Sequence, residues 1–400
     1  MLFYIIRVYA MRALLWLLGA AAVLALAAAG ALYFFFGGGE PYRDMTKPPL
    51  QDGDALQPVL QLDRPPGDIA VAADGRIFYT IHPEADPSAP MLMVARDGES
   101  VPFPAPERQR ALFRTPLGLD LDDAGRLWVI DGGGHGLDTP RLVALDIDTG
   151  EVAHSRDLSD VAPPGSYLLD LQVDAAGGWV YVADAGFWAR RPGLIVYDVA
   201  SGRARRVLNR HETVTAQDLV IRNPARDMRY LGGLVALKLG ASALALSGDE
   251  AWLYYAATSH STLYRVPTAL LQQPNLPHVR LAVDVETVAL KPLSAGLAID
   301  PDFNVFITDV EHRAVHRFND TPPGSEQPGR LVTLLRDERL RWPGALAFGP
   351  DGWLYLADSA LPDVLNRTAA HVAASAPYTI WRFRPDATGA NGAAPQTPGG

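Results

Sequence analysis

A short two-strand pattern recurs six times along this chain, and it constrains the fold more than any other feature of the sequence. Each copy has an apolar strand, a turn rich in Asp and Gly, and a second strand with a central aromatic residue. The copies span 68–81, 118–131, 170–184, 243–257, 296–309 and 345–358. Their marker aromatics are Phe78, Trp128, Tyr181, Tyr254, Phe306 and Tyr355. Such copies indicate repeated units that bury their apolar faces against one another.

The spacing of the marker aromatics is about 50 residues, which is the length of a four-stranded propeller blade. A third strand follows each copy, and fourth strands are predicted at 100–104, 151–158, 204–208, 280–285 and 330–335. Blade 6 lacks a fourth strand, and residues 55–63 can supply it and close the ring. The interval after Tyr181 is longer because of an insertion at 209–240. The sequence therefore predicts an all-β, six-bladed β-propeller over residues 55–384.

The N-terminal region predicts a membrane anchor. Residues 13–36 are uncharged and long enough to cross a hydrocarbon core of about 30 Å. Arg7 and Arg12 precede this segment, and Glu40 and Asp44 follow it. The positive-inside rule then places the propeller outside the cytoplasm, in the periplasm or the extracellular space. Cleavage as a signal peptide near residues 27–29, followed by secretion, is the alternative, although the apolar segment is longer than usual for one.

Two further segments and the bulk composition complete the predicted organisation. Residues 37–54 mix Gly, Pro and charge without periodicity and are predicted to be a linker, and residues 385–400 a disordered tail. The chain has no cysteine, which excludes disulfides and Cys-ligated zinc. Its formal net charge of −10 argues against nucleic acid as a partner, because nucleic-acid binding requires clustered Lys and Arg.

Propeller geometry predicts one rim of the channel as the functional face. The start of each first strand and the end of each second strand lie at the same rim. The acidic residues at these positions are Asp68, Asp131, Asp170, Asp184, Asp309 and Asp358. A ring of carboxylates at a channel mouth can hold a cation or attract an amine. The four that end second strands can instead cap turns through backbone amides, as Asp commonly does.

Other residues predicted near this rim could carry chemistry. His260 follows the second strand of blade 4, and Glu311 and His312 follow Asp309 in blade 5. A carboxylate beside an imidazole can transfer protons near neutral pH, although a solvated turn would carry the same residues. Aromatic residues that could line the mouth, or simply pack within loops, are Tyr167, Phe187 and Trp188. Neither a Gly-x-Ser-x-Gly elbow nor a His-Glu-x-x-His motif occurs.

Residues 166–174, 193–208 and 253–271 resemble signature strands of the major royal jelly protein/yellow family, of which the chain looks like a bacterial member. The resemblance runs from about Arg64 to Phe383. It implies a secreted six-bladed propeller, in a family where some members bind small aromatic amines and others are linked to dopachrome conversion. A more distant resemblance to the gluconolactonase/senescence-marker propellers implies a metal at the channel mouth, held by carboxylate and Asn side chains, that activates water for lactone hydrolysis.

The sequence departs from that metal-binding pattern at four rim positions. Leu169, Ala243, Ala295 and Gly344 stand where the resembling propellers carry Asn or Asp. Neither an alkyl group nor a missing side chain can donate a lone pair to a cation, and a divalent cation needs about six oxygen donors. We therefore expect no cofactor, and at most weak binding of a divalent cation.

The leading functional prediction is a binding module for a small molecule, an amine or an aromatic compound, held over the central channel. The predicted ligand-binding residues are Asp68, Asp131, Asp170, His260, Asp309 and Glu311. The alternatives are a dopachrome-tautomerase-like isomerase with His260, Glu311 or His312 as proton carrier, a degenerate lactonase, and a protein-interaction propeller. Fold does not choose among these classes.

Overall fold

The computed structural model describes residues 1–85, 90–319, 329–350 and 352–385, which contain six four-stranded antiparallel sheets. Blade 1 comprises Pro66–Val71, Ile77–Ile81, Leu92–Arg96 and Glu99–Pro102; blade 2 Pro116–Leu121, Arg126–Asp131, Arg141–Asp146 and Val152–Asp157; blade 3 Leu168–Val173, Trp179–Asp184, Gly193–Asp198 and Arg203–Val207. Blade 4 comprises Ala241–Leu246, Trp252–Ala257, Thr262–Pro267 and Glu286–Leu290; blade 5 Leu297–Ile299, Asn304–Asp309, Ala314–Asn319 and Leu331–Arg336; blade 6 Pro343–Phe348, Leu354–Asp358, Tyr378–Phe383 and Gln57–Leu62. The first strands of neighbouring blades contact one another around the ring. The predicted six-bladed propeller is confirmed.

The ring is closed by the first strand of the propeller, as the sequence predicts for residues 55–63. Gln57–Leu62 pairs antiparallel with Tyr378–Phe383, with Leu62 opposite Tyr378. Leu60 is buried in the core that blades 6 and 1 share, while its neighbour Gln61 is exposed. The N-terminal strand therefore covers the outer edge of the last blade, where an unpaired edge would favour aggregation.

One predicted strand is wrong. Residues 280–285, expected as the fourth strand of blade 4, lie mostly in the helix His278–Val283, and the strand is Glu286–Leu290 instead. The carbonyl of Pro277 accepts the backbone N–H groups of the first turn, and Leu281 packs between blades 3 and 4. A short apolar run cannot be assigned to a helix or a strand by its pattern alone.

The first strands of the blades, which are the inner strands of the ring, approach those of the next blade closely at two glycines. An ideal Cβ built on Gly118 would lie 2.8 Å from the Cα of Asp170 in the next blade. One built on Gly296 would lie 2.4 Å from the carbonyl oxygen of Gly344. Gly118 is the third residue of Pro116–Leu121, and Gly296 directly precedes Leu297–Ile299. Both positions need the absence of a side chain where neighbouring blades meet.

An apolar helix, Leu2–Phe36, precedes the propeller, and its segment Met11–Phe36 is long and apolar enough to cross a membrane. Residues 37–54, predicted as a linker, lie on the propeller through backbone hydrogen bonds. Glu40–Pro41 pairs in parallel with Leu219–Val220, and the Gln51 N–H donates to the Leu334 carbonyl over 2.9 Å. The predicted tail, 385–400, lies outside the described residues apart from Pro385.

The insertion at 209–240 lies across the channel rim. It contains the strands Leu219–Val220, Arg222–Asn223, Arg226–Asp227, Arg229–Tyr230 and Val235–Ala236, with the 3₁₀ turns Glu212–Val214 and Leu231–Gly233. The side-chain amide of Asn223 donates to the carbonyls of Val310 and Arg341 over 2.7 and 2.8 Å, which ties the insertion to blades 5 and 6. The remaining helical segments are Gly53–Ala55, Pro106–Leu112, Gly133–Gly136, Thr268–Leu271, Leu361–Asp363 and Ala369–Ala374.

Candidate functional site

The central channel contains a cavity of about 350 Å³ whose wall changes character around the ring. The inner strands of blades 1 to 3 contribute carboxylate and amide side chains to it, and those of blades 5 and 6 contribute small or apolar ones. The carboxylate and amide residues are Asp68, Asp120, Asp170 and Gln172, and the opposite side includes Ala295, Ala298, Ala347 and Phe348. The channel is therefore acidic on one side and apolar on the other.

The three channel carboxylates connect the inner strands of neighbouring blades. Each accepts the backbone N–H of a residue one blade further along the ring. The bonds run from Leu119 to Asp68 over 2.8 Å, from Val173 to Asp120 over 2.9 Å, and from Leu244 to Asp170 over 2.7 Å. These side chains thus stabilise the ring as well as lining the channel.

Burial changes the protonation of these carboxylates. It raises the pKa of Asp68 to about 7 and that of Asp120 to about 7, against the opposing effect of backbone hydrogen bonds. Burial, together with the charge of Asp68, raises the pKa of Asp170 well above its usual range. Near neutral pH the channel therefore carries less negative charge than three ordinary aspartates would.

Replacing Asp170 with Ala is expected to lower the free energy of unfolding by about 1–3 kcal/mol at pH 6, because the buried Leu244 N–H loses its acceptor. An acidic pH is chosen because burial and the charge of Asp68 raise the pKa of Asp170 well above its usual range, so that acid favours the neutral carboxyl. Urea denaturation followed by circular dichroism measures the loss. Asp123→Ala, in an exposed turn, is the control. Equal stability of the two variants would contradict the structural role of Asp170.

A second cavity of about 420 Å³ lies outside the channel cavity and shares Tyr167, Leu239 and Leu361 with it. Its wall includes the aromatic residues Tyr167, Phe187, Trp188 and Tyr230. We refer to it as the outer cavity. The aromatic outer cavity therefore adjoins the channel cavity across these three shared side chains.

A polar cluster lies in the wall of the outer cavity. The Glu84 carboxylate is 3.3 Å from Nε2 of His135, and the Tyr167 hydroxyl donates to the same Glu84 oxygen over 3.5 Å. Burial raises the pKa of Tyr167 well above its usual value, so its hydroxyl remains a donor at neutral pH. This cluster offers a carboxylate and an imidazole to any ligand in the chamber.

The glycine-rich turn at 132–136 positions His135. His135 has a left-handed backbone with φ of 60°, and Gly133 and Gly134 have φ of 58°. A Cβ on Gly133 would lie 2.6 Å from the Asp138 carbonyl oxygen, so the turn requires glycine there. The Asp131 carboxylate accepts the Gly133 N–H over 2.9 Å and holds the turn in place.

The four aspartates at the ends of second strands are buried and accept backbone N–H groups of the rim turns. Asp131 accepts from Arg114 and Thr115, Asp184 from Tyr167 and Gly186, Asp309 from Glu311 and His312, and Asp358 from Arg341 and Trp342. Burial acts against ionisation of Asp309, but hydrogen bonds from His312 and His316 lower its pKa to about 2. These four carboxylates hold the turns and do not line either cavity.

The structure brings Asp68 and Asp170 together in the channel and places the other predicted residues elsewhere. His260 is buried, its Nδ1 accepts the Thr262 N–H over 3.0 Å, and burial beside Lys291 lowers its pKa to about 4. Glu311 is 4% exposed and accepts the Arg222 N–H of the insertion over 2.7 Å. His312 bonds to Asp309. None of these three side chains lines the channel cavity or the outer cavity.

The four departures from the metal-binding pattern occupy two kinds of position. Leu169, Ala295 and Gly344 line the channel cavity, whereas Ala243 is buried between blades 4 and 5. In the part of the chain that the structure describes, no group of three or more His, Asp or Glu side chains is placed to hold a metal ion.

Sequence reasoning missed several residues of the site, among them Asp120, His82 and Glu84. Asp120 has a detectable signal, because it lies on the first strand of blade 2 between Leu119 and Leu121, and side chains alternate between the two faces of a strand. His82, which lines the channel cavity and whose pKa burial lowers to about 4, follows a second strand of the repeat. Glu84 lies in a loop whose sequence carries no comparable pattern.

Comparison with known families is consistent with this architecture. A model of the family described as "Major royal jelly protein" matches residues 115–371, more than half of the chain. The chain belongs to this family. The matched region runs from blade 2 to blade 6 and includes the insertion, so it contains Tyr167, Trp188 and Tyr230 of the outer cavity. A search of curated proteins finds no match.

Solved structures share the fold at low sequence identity. A gluconolactonase from Xanthomonas campestris is 13% identical with a TM-score of 0.52, and the match covers 87% of this chain and 98% of that chain. A luciferin-regenerating enzyme is 12% identical with a TM-score of 0.51, covering 82% and 94%. At these identities the likeness of this royal jelly family member to the two enzymes shows the propeller fold alone.

Proposed function

We propose that this royal jelly family member is a membrane-anchored propeller, displayed outside the cytoplasm, that binds a small apolar amine. One observation carries the proposal: the aromatic outer cavity adjoins, at Tyr167, a channel with three buried carboxylates on one side. Small-molecule sites commonly combine apolar walls with a few placed polar groups. The arrangement suits a ligand that has a cation at one end and an apolar body at the other.

Each part of such an amine has a matching group in the cavities. The apolar body packs against Phe187, Trp188 and Tyr230 in the outer cavity. The ammonium group is attracted by Glu84 and by the channel carboxylates beyond Tyr167. A cation near the aromatic faces gains further stabilisation of about 0.5–2 kcal/mol.

The anchor supports display at a membrane surface. The segment Met11–Phe36 has 26 residues with a mean hydropathy of 2.2 over its most apolar window, and none of that window is buried in the protein. Arg7 and Arg12 lie on its N-terminal side. The positive-inside rule would keep that end in the cytoplasm and the propeller on the other side.

Binding of 2-phenylethylamine, measured by isothermal titration calorimetry, is expected to be about tenfold tighter than that of its neutral analogue 2-phenylethanol, a difference of about 1.4 kcal/mol. The affinity for the amine should increase as the pH rises from 6 to 8. Asp68 and Asp120 ionise with pKa values of about 7, and the ionised forms attract a cation more strongly.

Glu84→Gln should reduce the preference for the amine, while Glu107→Gln on an exposed helix should leave it unchanged. Affinities for amine and alcohol that are equal and independent of pH would contradict the proposed cation site.

A proton-transfer enzyme is the second candidate, and the cluster of Glu84, His135 and Tyr167 favours it. The Glu84 carboxylate lies 3.3 Å from the imidazole of His135, which faces the outer cavity and could accept a proton from a bound ligand. Turnover of an enolisable ligand that His135→Asn abolishes, without loss of ligand affinity, would favour the enzyme over the binding module.

A further inference from the structure

We propose that the rim around the outer cavity lies against the membrane surface, so that the cavity opens to the lipid–water interface. This inference rests on the proposed anchoring by the N-terminal helix. It adds the orientation of the propeller and the route by which a ligand enters. Four features of the structure support it.

The junction between the helix and the propeller is held by direct contacts. The Arg229 guanidinium donates to the Gly38 carbonyl over 3.0 Å, and the Lys238 ammonium donates to the Gly37 carbonyl. Glu40–Pro41 then pairs with a strand of the insertion, four residues after the helix ends. With so short a connection, the end of the helix fixes which face of the propeller lies nearest to the bilayer.

The helix ends against the wall of the outer cavity. The ring of Phe36 lies 5.8 Å from the ring of Phe187 and 5.8 Å from that of Trp188, centroid to centroid. Both partners line the outer cavity. The last residue of the apolar helix, Phe36, is therefore in contact with side chains that line the proposed ligand chamber.

Large apolar side chains around the same cavity are exposed to solvent. Trp188 and Leu231 line the cavity and are 54% and 60% exposed, and Leu137, two residues after His135, is 90% exposed. Exposed apolar groups clustered around a cavity mark an interaction surface, and Trp is favoured at membrane interfaces. Because Trp188 contacts Phe36, the last residue of a membrane-anchoring helix, the bilayer interface is the partner that covers this cavity rim.

Basic residues accompany the apolar ones. Arg190 and Arg191 are exposed beside Trp188, and the Arg190 guanidinium lies 5.7 Å from the ring centre of Phe36. The chain as a whole has a net charge of −10, so the positive charge beside Trp188 is opposite in sign to that of the whole protein. Arginines at the level of the lipid headgroups would attract anionic lipids, and each would contribute about 1 kcal/mol to the free energy of membrane binding.

The orientation defines the ligand class more narrowly. A chamber that opens at the interface receives molecules that partition into the bilayer, so the ligand is an amphiphilic amine that reaches Glu84 from the membrane. The opposite mouth of the channel, at the turns between first and second strands, faces away from the bilayer.

Site-directed fluorescence on the full-length protein can test the orientation, and the absence of native cysteine makes single labels unambiguous. Leu137→Cys and Leu231→Cys report on the proposed contact, and Ala176→Cys, in an exposed turn at the opposite rim, is the matched control. Each variant carries an environment-sensitive dye in vesicles of phosphatidylcholine and phosphatidylglycerol. A lipid-attached quencher and aqueous iodide are then compared.

We expect the lipid-attached quencher to act at least several-fold more strongly at positions 137 and 231 than at 176, and iodide to show the reverse order. A fourth label at Leu24, within the helix, separates two kinds of failure. Quenching by lipid at Leu24 but at neither rim position would overturn the orientation alone. Absence of lipid quenching at Leu24 would overturn the anchoring, and with it this inference. Amine binding is measured independently.

Discussion

Replacing Leu60 with Asp is expected to unfold the propeller, or to reduce its free energy of unfolding by about 4 kcal/mol or more. Leu60 is buried between blades 6 and 1 on the strand that closes the ring, and a carboxylate there would be desolvated without a partner. Gln61→Asp is the matched control, because Gln61 is adjacent on the same strand and exposed. Urea denaturation of both variants, followed by circular dichroism, measures the difference.

Deletion provides a second measurement of the same closure. A chain lacking residues 1–64 exposes the edge of Tyr378–Phe383 and should aggregate, whereas one lacking residues 1–36 retains the closing strand and should remain folded. Equal unfolding temperatures for these two truncated chains would show that the ring is stable without Gln57–Leu62.

Gly118→Val is expected to reduce the free energy of unfolding by about 3 kcal/mol, the upper part of the range for overpacked sites. The new side chain would meet the backbone of Asp170 and the carbonyl of Leu169, because an ideal Cβ lies 2.8 and 3.0 Å from these atoms. The inner strands of blades 2 and 3 would have to separate, which would also strain the hydrogen bond from Val173 to Asp120.

Gly178→Val is the control for that substitution. Gly178 lies in a turn of blade 3, and its nearest neighbour to an ideal Cβ is a side-chain oxygen of Asp174 at 3.6 Å. Chemical denaturation of the two variants separates close packing of the inner strands from a general cost of replacing glycine. A loss for Gly118→Val no larger than that for Gly178→Val would contradict the packing argument.

The fold could be predicted because its determinants are local and repeated. In every blade, a first strand without exposed residues is followed by a turn that contains Asp and by a second strand with a buried aromatic such as Trp128. Closure by residues 55–63 is predictable because blade 6 lacks a fourth strand of its own and this segment, just before blade 1, can supply it. The sequence prediction fails at 280–285, because the short apolar run around the buried Leu281 is compatible with a helix as well as with a strand.

The site was less predictable because it depends on contacts between distant segments. Asp68 and Asp170 were found from their place in the repeat, but their bonds to the next blade involve backbone groups that no sequence pattern reveals. Glu311 was expected at an open rim, and the insertion covers it through Arg222, 89 residues away in sequence. Glu84 is distant from His135 and Tyr167 in sequence, and only the folding of the ring brings the three side chains together.

The closing strand also sets the order in which the molecule can be completed. Gln57–Leu62 is made early, and its partner Tyr378–Phe383 follows about 320 residues later, which corresponds to roughly 15–60 s of synthesis. Through that interval the early strand has no native partner. An N-terminus held at the membrane would keep this strand close to the emerging chain and raise its effective concentration for the last blade. Membrane anchoring of the N-terminus would then assist assembly of the propeller, in addition to determining where the propeller is located.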